Sequence, residues 1–224
     1  VCAFSNDQVQ ELADRLSLGG RLRDAARNNE LILHYQPQVS AHNGQIIGLE
    51  ALVRWQSPEL GLLPPGRFIR VAEELGLIVD LGLWVLDTAC RQARAWLDSG
   101  LSDFTIAVNV SALQLQRPTF VADVQAALDR SGLPPHHLEL ELTESSIMEN
   151  VERMVETMHA LKKLGVLLAL DDFGIGYSSL NYLKRFPIDK LKIDQSFVRD
   201  VTRDSGDAGI ARAIIAMGHQ LQMT

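Results

Sequence analysis

Apolar and polar positions along this chain fall into segments that alternate between strand and helix spacing. Leu31 to Val39 reads as a strand, Asn43-Gly44 as a tight turn, and Ile46 to Trp55 as a second strand pairing antiparallel with the first. After a Pro- and Gly-rich loop from Pro58 to Gly66, Phe68 to Leu75 and Leu81 to Leu97 have helical periodicity. A regular order follows. Thr105 to Val110 is strand-like, and a helix is predicted from Pro118 to Ser131, with Pro118 in its first turn and Gly132 as its stop. Leu138 to Thr143 is a strand, and Val151 to Leu164 an amphipathic helix closed by Gly165. Val166 to Leu170 is a continuous apolar run, as suits a strand covered on both faces. A short helix from Ser179 to Lys184, a strand from Leu191 to Ile193 and a helix from Ala208 to Leu221 complete the pattern. Repeated strand-then-helix order predicts a parallel sheet with helical crossovers. Periodicity alone leaves an open sheet and a closed β/α barrel about equally placed; length and repetition favour the barrel.

Residues 1–30 read differently. Leu12, Leu16, Leu22 and Ala26 lie near helical spacing, and Gly19-Gly20 is expected to interrupt them. This stretch is taken as a linker or the tail of a preceding domain plus a first helix, and 31–224 as the domain proper. The chain opens without Met and reads as a piece of a longer protein.

Composition narrows the function. The net charge of −7 argues against a surface that grips a nucleic-acid polymer. A phosphodiester ligand stays possible if metal ions supply the positive charge. Cys2 and Cys90 form no metal-ligand spacing and suit free thiols in a reducing compartment. No apolar run is long enough to span a bilayer. The domain is therefore expected in the cytoplasm without touching a membrane, even where the whole protein is membrane-anchored. His136-His137, after Pro134-Pro135, is expected at the surface, and the six histidines show no ligand pattern.

The informative residues sit within or at the ends of the predicted strands: Glu50, Asn109, Glu141 with Glu144, Asp171-Asp172, and Lys192 with Asp194. In a β/α barrel the C-terminal mouth is where chemistry is assembled. Carboxylates and an amide oxygen converging there suit hard cations such as Mg²⁺ or Mn²⁺, and adjacent aspartates can serve two metals. Each residue also has a plainer explanation. Glu50 could be a surface acid, Asn109 could cap the turn before Ser111, Glu144 could cap a helix, Asp171-Asp172 could form a turn, and Lys192 could be solvated. Singly these weigh about equally with a functional role, but turns and caps poorly explain such groups at five strands. Gly174 and Gly176 mark a tight or mobile loop, without the third glycine of a dinucleotide fingerprint.

Taken in order, Tyr35-Gln36-Pro37, Glu50-Ala51-Leu52-Val53-Arg54-Trp55, Asn109-Val110-Ser111, Glu141-Leu142-Thr143-Glu144-Ser145, Asp171-Asp172-Phe173-Gly174 with Gly176-Tyr177-Ser178-Ser179-Leu180, and Lys192-Ile193-Asp194 resemble the EAL domain family. The first thirty residues resemble the linker that often follows a GGDEF domain. The resemblance implies a TIM-like (β/α)8 barrel with one antiparallel strand, and hydrolysis of cyclic di-GMP to linear pGpG. It implies that Glu50, Asn109, Glu141 and Asp171 hold one metal, and that Asp171 and Asp172 serve a second. Lys192 would orient or activate the attacking water. Glu144 would anchor the Asp-Phe-Gly loop, which in the family couples the metal site to a homodimer interface. Gln36, Leu52, Arg54 and Asp194 would contact the substrate, Arg54 at a phosphate. An upstream GGDEF or sensor domain is the implied partner.

Two departures stand out. Ile175 occupies a position where many members carry Thr. The family also continues beyond Met223-Thr224 with strands bearing Ala-Glu-Gly-Val-Glu and Gln-Gly-Tyr, so about six of a barrel's eight strands are expected here, with weakened catalysis. The competing functions are a receptor that binds cyclic di-GMP without cutting it and a regulatory domain that does neither. Retention of every visible acid favours the enzyme.

Overall fold

A computed structural model describes residues 6–148, 150–174 and 183–224. Their strands form one seven-stranded sheet. Helix α1 (Asn6–Ala25) leads into β1 (Leu31–Val39), which pairs antiparallel with β2 (Ile46–Ser57) in the register Leu31↔Trp55 to Gln36↔Glu50 and beyond. The loop expected after β2 contains a further short strand, β3 (Gly61–Leu63), folded back on the end of β2. Leu62 is exposed there, so no periodic apolar face announced it. Helices α2 (Ile69–Glu74) and α3 (Ile78–Asp98) lead to β4 (Thr105–Val110), then α4 (Ala112–Leu115) and α5 (Phe120–Ser131). Next come β5 (Leu138–Thr143), α6 (Glu144–Met148), α7 (Val151–Leu164), β6 (Leu167–Phe173) and β7 (Lys190–Ile193). Helices α8 (Ser196–Arg199) and α9 (Ser205–Gln220) close the chain.

From β2 onward the main strands are parallel, in the order β1-β2-β4-β5-β6-β7. This is the strand order of a TIM-like β/α barrel entered through one antiparallel strand. The described strands leave the sheet open between β1 and β7. Alternation explains which face is which. In Leu-Glu-Leu-Glu-Leu-Thr of β5, Leu138, Leu140 and Leu142 are fully buried in a core that includes Val124 and Leu128 of α5 and Met154, Met158 and Leu161 of α7. Glu139 and Glu141 therefore point into the barrel interior. Burying each leucine stabilises the fold by roughly 2 kcal/mol relative to exposure. Among the described residues no helix is long and apolar enough to cross a membrane.

Several expectations need correction. Gly19-Gly20 does not interrupt α1. Gly19 is buried where the helix crosses Leu75, and an added Cβ would lie 2.1 Å from Leu75 Cδ1. The glycine serves a close approach and not a break. Leu22 and Ala25 of the same helix are buried in the domain core. Pro118 precedes α5, which begins at Phe120 with Thr119 ahead of it. Gly132 and Gly165 end their helices in the left-handed conformation, as expected. Strand β6 runs past Leu170 to Phe173. His136 is exposed, but His137 is half-buried, its Nδ1 2.6 Å from the Phe104 carbonyl. Most of the helix expected over Ser179 to Lys184, and Ile175 to Leu180 of the glycine loop, fall outside the described residues.

The two glycines of α1 should separate by substitution. Around Gly20 an added Cβ meets nothing within 4 Å, so Gly20→Ala should stabilise the domain by up to about 1 kcal/mol through helix propensity. Gly19→Ala should give less or reverse the sign, because Leu75 must move. Urea denaturation of the two variants measures the difference.

Candidate functional site

Lys192 organises the site. It lies on β7 between Leu191 and Ile193, and its side chain is 23% exposed. Its Nζ is 2.7 Å from Glu141 Oε2 on β5, 3.0 Å from Asp171 Oδ2 on β6 and 3.6 Å from Glu50 Oε2 on β2. Asn109 of β4 joins by donating from Nδ2 to Glu50 Oε1 at 2.9 Å. Strand register makes this possible: Glu50 pairs with Ala107, Asn109 with Glu141, and Thr143 with Asp171, so all face one interior. The plainer explanations of Glu50 and Lys192 as surface groups do not hold. Nor does Asn109 cap the turn after β4. Ser111 does that itself, in a reciprocal capping box with Gln114, leaving the Asn109 amide for Glu50.

Asp172 reaches the same mouth by a different route. In a regular strand it would point away from Asp171. The β6–β7 register slips between Leu170 and Phe173, and Asp172 has φ of +55°, a left-handed conformation that costs a non-glycine residue about 1 kcal/mol or more. Its carboxyl lines a cleft of about 940 Å³ together with Glu50, Leu52, Asn109, Ser111 and Gln195. The Asp172 and Asp194 carboxyls are neighbours of like charge, and Asp194 Oδ1 accepts from Ser196 N at 2.8 Å. Burial, the neighbouring Asp171 and Asp194 raise the Asp172 carboxyl, whereas the Ser196 hydroxyl and amide hold Asp194 low.

Glu144 is buried in the first turn of α6, and its Oε2 accepts from Gly174 N at 3.3 Å, tying the end of β6 to this helix. Leu52 lines the cleft. Gln36 and Arg54 stand on the same sheet face as Glu50, outside the cleft lining, and Arg54 Nη1 donates to Val53 O. Sequence reading missed Gln195 and Ser111 in the cleft and a second interior pair, Glu139 with Lys190. The alternations Leu-Glu-Leu-Glu and Lys-Leu-Lys-Ile carried the signal for that pair.

The electrostatics are those of crowded acids. Burial pushes the Glu141 carboxyl up to about 7 against the pull of Lys192, with Glu50 and Asp171 adding to the rise. Burial alone would lower the Lys192 ammonium, but Glu141, Asp171 and Glu50 more than reverse this and keep it charged. Among the described residues no three His, Cys, Asp or Glu side chains form a ready-made metal cage. The chemistry of the donors nevertheless fits a hard cation. They are all oxygen, three carboxyls meet one ammonium with Asp172 beside Asp171, and buried Glu141 Oε1 has no hydrogen-bond partner among the described residues.

Comparison with known proteins identifies the family. The EAL domain family model matches residues 20–224, and the chain belongs to that family. It is 48% identical over 222 residues to the Pseudomonas aeruginosa bifunctional diguanylate cyclase/cyclic di-GMP phosphodiesterase MucR, covering 99% of this chain and 32% of that protein. It is 43% identical over 222 residues to the Escherichia coli cyclic di-GMP phosphodiesterase PdeR, covering 99% of this chain and 33% of the relative. The chain thus spans about a third of the length of these relatives. The solved PaMucR phosphodiesterase in complex with c-di-GMP matches with a TM-score of 0.89 at 50% identity, covering 92% of this chain and 84% of that one. The EAL domain of Mycobacterium smegmatis DcpA matches with a TM-score of 0.73 at 36% identity, over 86% of this chain and 78% of that one.

A pH test follows from the Lys192–Glu141 pair. The Glu141 carboxyl is raised from 4.5 to about 7 in the folded protein, so folding is favoured by its proton at low pH and loses that contribution as pH rises through this range. Removing the ammonium in Lys192→Met raises the carboxyl further. Without metal, the variant should lose up to about 3 kcal/mol near pH 8 and much less near pH 5. Urea denaturation in chelator at the two pH values checks this. Equal losses would show that Lys192 does not neutralise Glu141.

Proposed function

We propose that this domain is a cyclic di-GMP phosphodiesterase that uses divalent cations, Mg²⁺ or Mn²⁺, to open the cyclic dinucleotide to linear pGpG. The observation that carries this reading is the gathering of three carboxyl groups around one ammonium at adjoining strands, with Asp172 beside them and a buried Glu141 oxygen left unpartnered. The printed activities of MucR and PdeR and the PaMucR complex with c-di-GMP support the choice of substrate.

In this reading Glu50, Asn109, Glu141 and Asp171 hold one cation, and Asp171 and Asp172 hold the second. When bound, the cations supply a water of lowered pKa and neutralise charge that develops on the phosphoryl oxygens. The protein's own groups do the rest. Lys192, kept protonated by three carboxylates, cannot take a proton from water; it orients that water and offsets negative charge. Glu144 fixes the Gly174 end of β6, and with it the strained Asp172. Leu52, Gln36 and Asp194 contact the ligand, and Arg54 pairs with a phosphate. A receptor that only binds could dispense with the acids, yet Glu50, Glu141, Asp171 and Asp172 are all present.

We further propose that residues 31–224 are the EAL domain proper, that residues 1–30 link it to an upstream GGDEF or sensor domain while the end of α1 packs Leu22 and Ala25 into its core, and that the domain works as a homodimer on the cytoplasmic side. The bifunctional description of MucR supports the GGDEF partner.

The test is hydrolysis of cyclic di-GMP by the full-length protein with Mg²⁺ or Mn²⁺, followed by chromatography of pGpG. Wild type should produce pGpG, and Glu50→Ala should lose activity by at least about 100-fold. Bound ligand without product would replace the enzyme with a receptor.

A further inference from the structure

Next to the carboxylates around Lys192 lies a second interior ion pair that the proposed chemistry does not use. Glu139 sits two residues before Glu141 on β5, and Lys190 two before Lys192 on β7. Lys190 Nζ is 2.6 Å from Glu139 Oε2. Glu139 is 1% exposed, and its Oε1 has no hydrogen-bond partner among the described residues. Both lysines reach a glutamate two strands away, across β6. Neighbouring strands stand about 4.8 Å apart, so each stem passes over the intervening strand. The interior residue of β6 beside both crossings is Ala169, whose methyl group leaves the passage open.

The register raises a pairing problem. Glu141 pairs with Ala169, and Ala169 with Lys190. By backbone alignment alone Lys190 therefore stands in line with Glu141, whereas Glu139 is aligned with Leu167. Glu141 also has an unpartnered oxygen to offer. Lys190 nevertheless engages Glu139, one step further from the mouth. In a low-dielectric interior an ammonium without a counter-charge is costly and turns to the nearest carboxylate.

We propose that Glu139 is a positioning residue for the metal site: by engaging Lys190 it reserves Glu141 for Lys192 and the cation. The proposal rests on the metal-dependent reading of the site. Without Glu139, Lys190 turns to Glu141 and brings a second ammonium to where a divalent cation binds.

The experiment measures Mn²⁺ binding to the whole protein, from the electron paramagnetic resonance signal of free Mn²⁺. The variants are Glu139→Gln, Lys190→Met and the double variant. Glu139→Gln should weaken binding by about 10- to 100-fold, the range for residues that orient metal ligands. The double variant should return to near the wild-type affinity, because the competing ammonium is gone. A merely structural role for Glu139 predicts no such rescue. Wild-type affinity in Glu139→Gln, or a double variant as weak as Glu139→Gln, overturns the proposal. Should Glu139→Gln yield no folded protein, Lys190→Met decides: binding at least as tight as wild type supports the proposal, and weaker binding overturns it. Wild-type protein that binds Mn²⁺ but makes no pGpG removes the hydrolytic reading and leaves this one standing. Wild-type protein that binds no Mn²⁺ overturns both.

Discussion

Four carboxyl groups at the mouth of one sheet repel one another, and the fold depends on how that repulsion is met. Lys192 is the described cation that meets it directly, touching Glu141, Asp171 and Glu50 from a single ammonium. This contact constrains much of the architecture. β5, β6 and β7 must hold their register so that the lysine stem, crossing β6, ends beside Glu141. Ala169 must stay small, and Asn109 must be free of turn duty, which the Ser111–Gln114 box ensures. The leucines on the opposite face of β5 supply the apolar burial that offsets the cost of interior charge.

The end of β6 shows a second cost. A straight strand would send Asp171 and Asp172 to opposite faces. A register slip and a left-handed Asp172 bring both carboxyls toward the mouth, at the expense of backbone strain. One contact opposes relaxation: Gly174 N–H donates to buried Glu144. The strain thus sits beside an anchor on α6, while Asp194, held by Ser196, adds a neighbouring like charge.

Much of this was legible in the sequence, for physical reasons that differ by element. β4 and β5 were readable to the residue because period-two alternation ends at a turn on each side. The acids of the site were readable because charged groups rarely occupy strands without a task. Gly19-Gly20 misled because a glycine pair signals flexibility locally, whereas the need for Gly19 comes from Leu75, fifty-six residues away. β3 was invisible because its pairing with Trp55 and Gln56 does not depend on an apolar face. The Glu139–Lys190 pair escaped for a related reason. The alternation placed both residues inside, but their partnership depends on a register across three strands that no local pattern contains.

The choice of lysine at the centre is itself informative. An arginine could bind two carboxylates in a fixed planar fork and would hold them against one another permanently. Lysine carries a compact charge on a flexible stem, and its one ammonium stands beside three separate carboxyls without fixing their planes. On the proposed metal-dependent reading, in which the carboxylates pass to a divalent cation, a counter-charge of this kind suits the site: strong enough to keep the acids together in the cation's absence, and free to shift when the cation arrives. The same flexibility creates the hazard that Lys190 poses, since any second lysine stem in the interior can reach the same carboxylate. Glu139 answers that hazard with a partner of its own, buried more deeply than Lys190 and aligned one step away from the mouth.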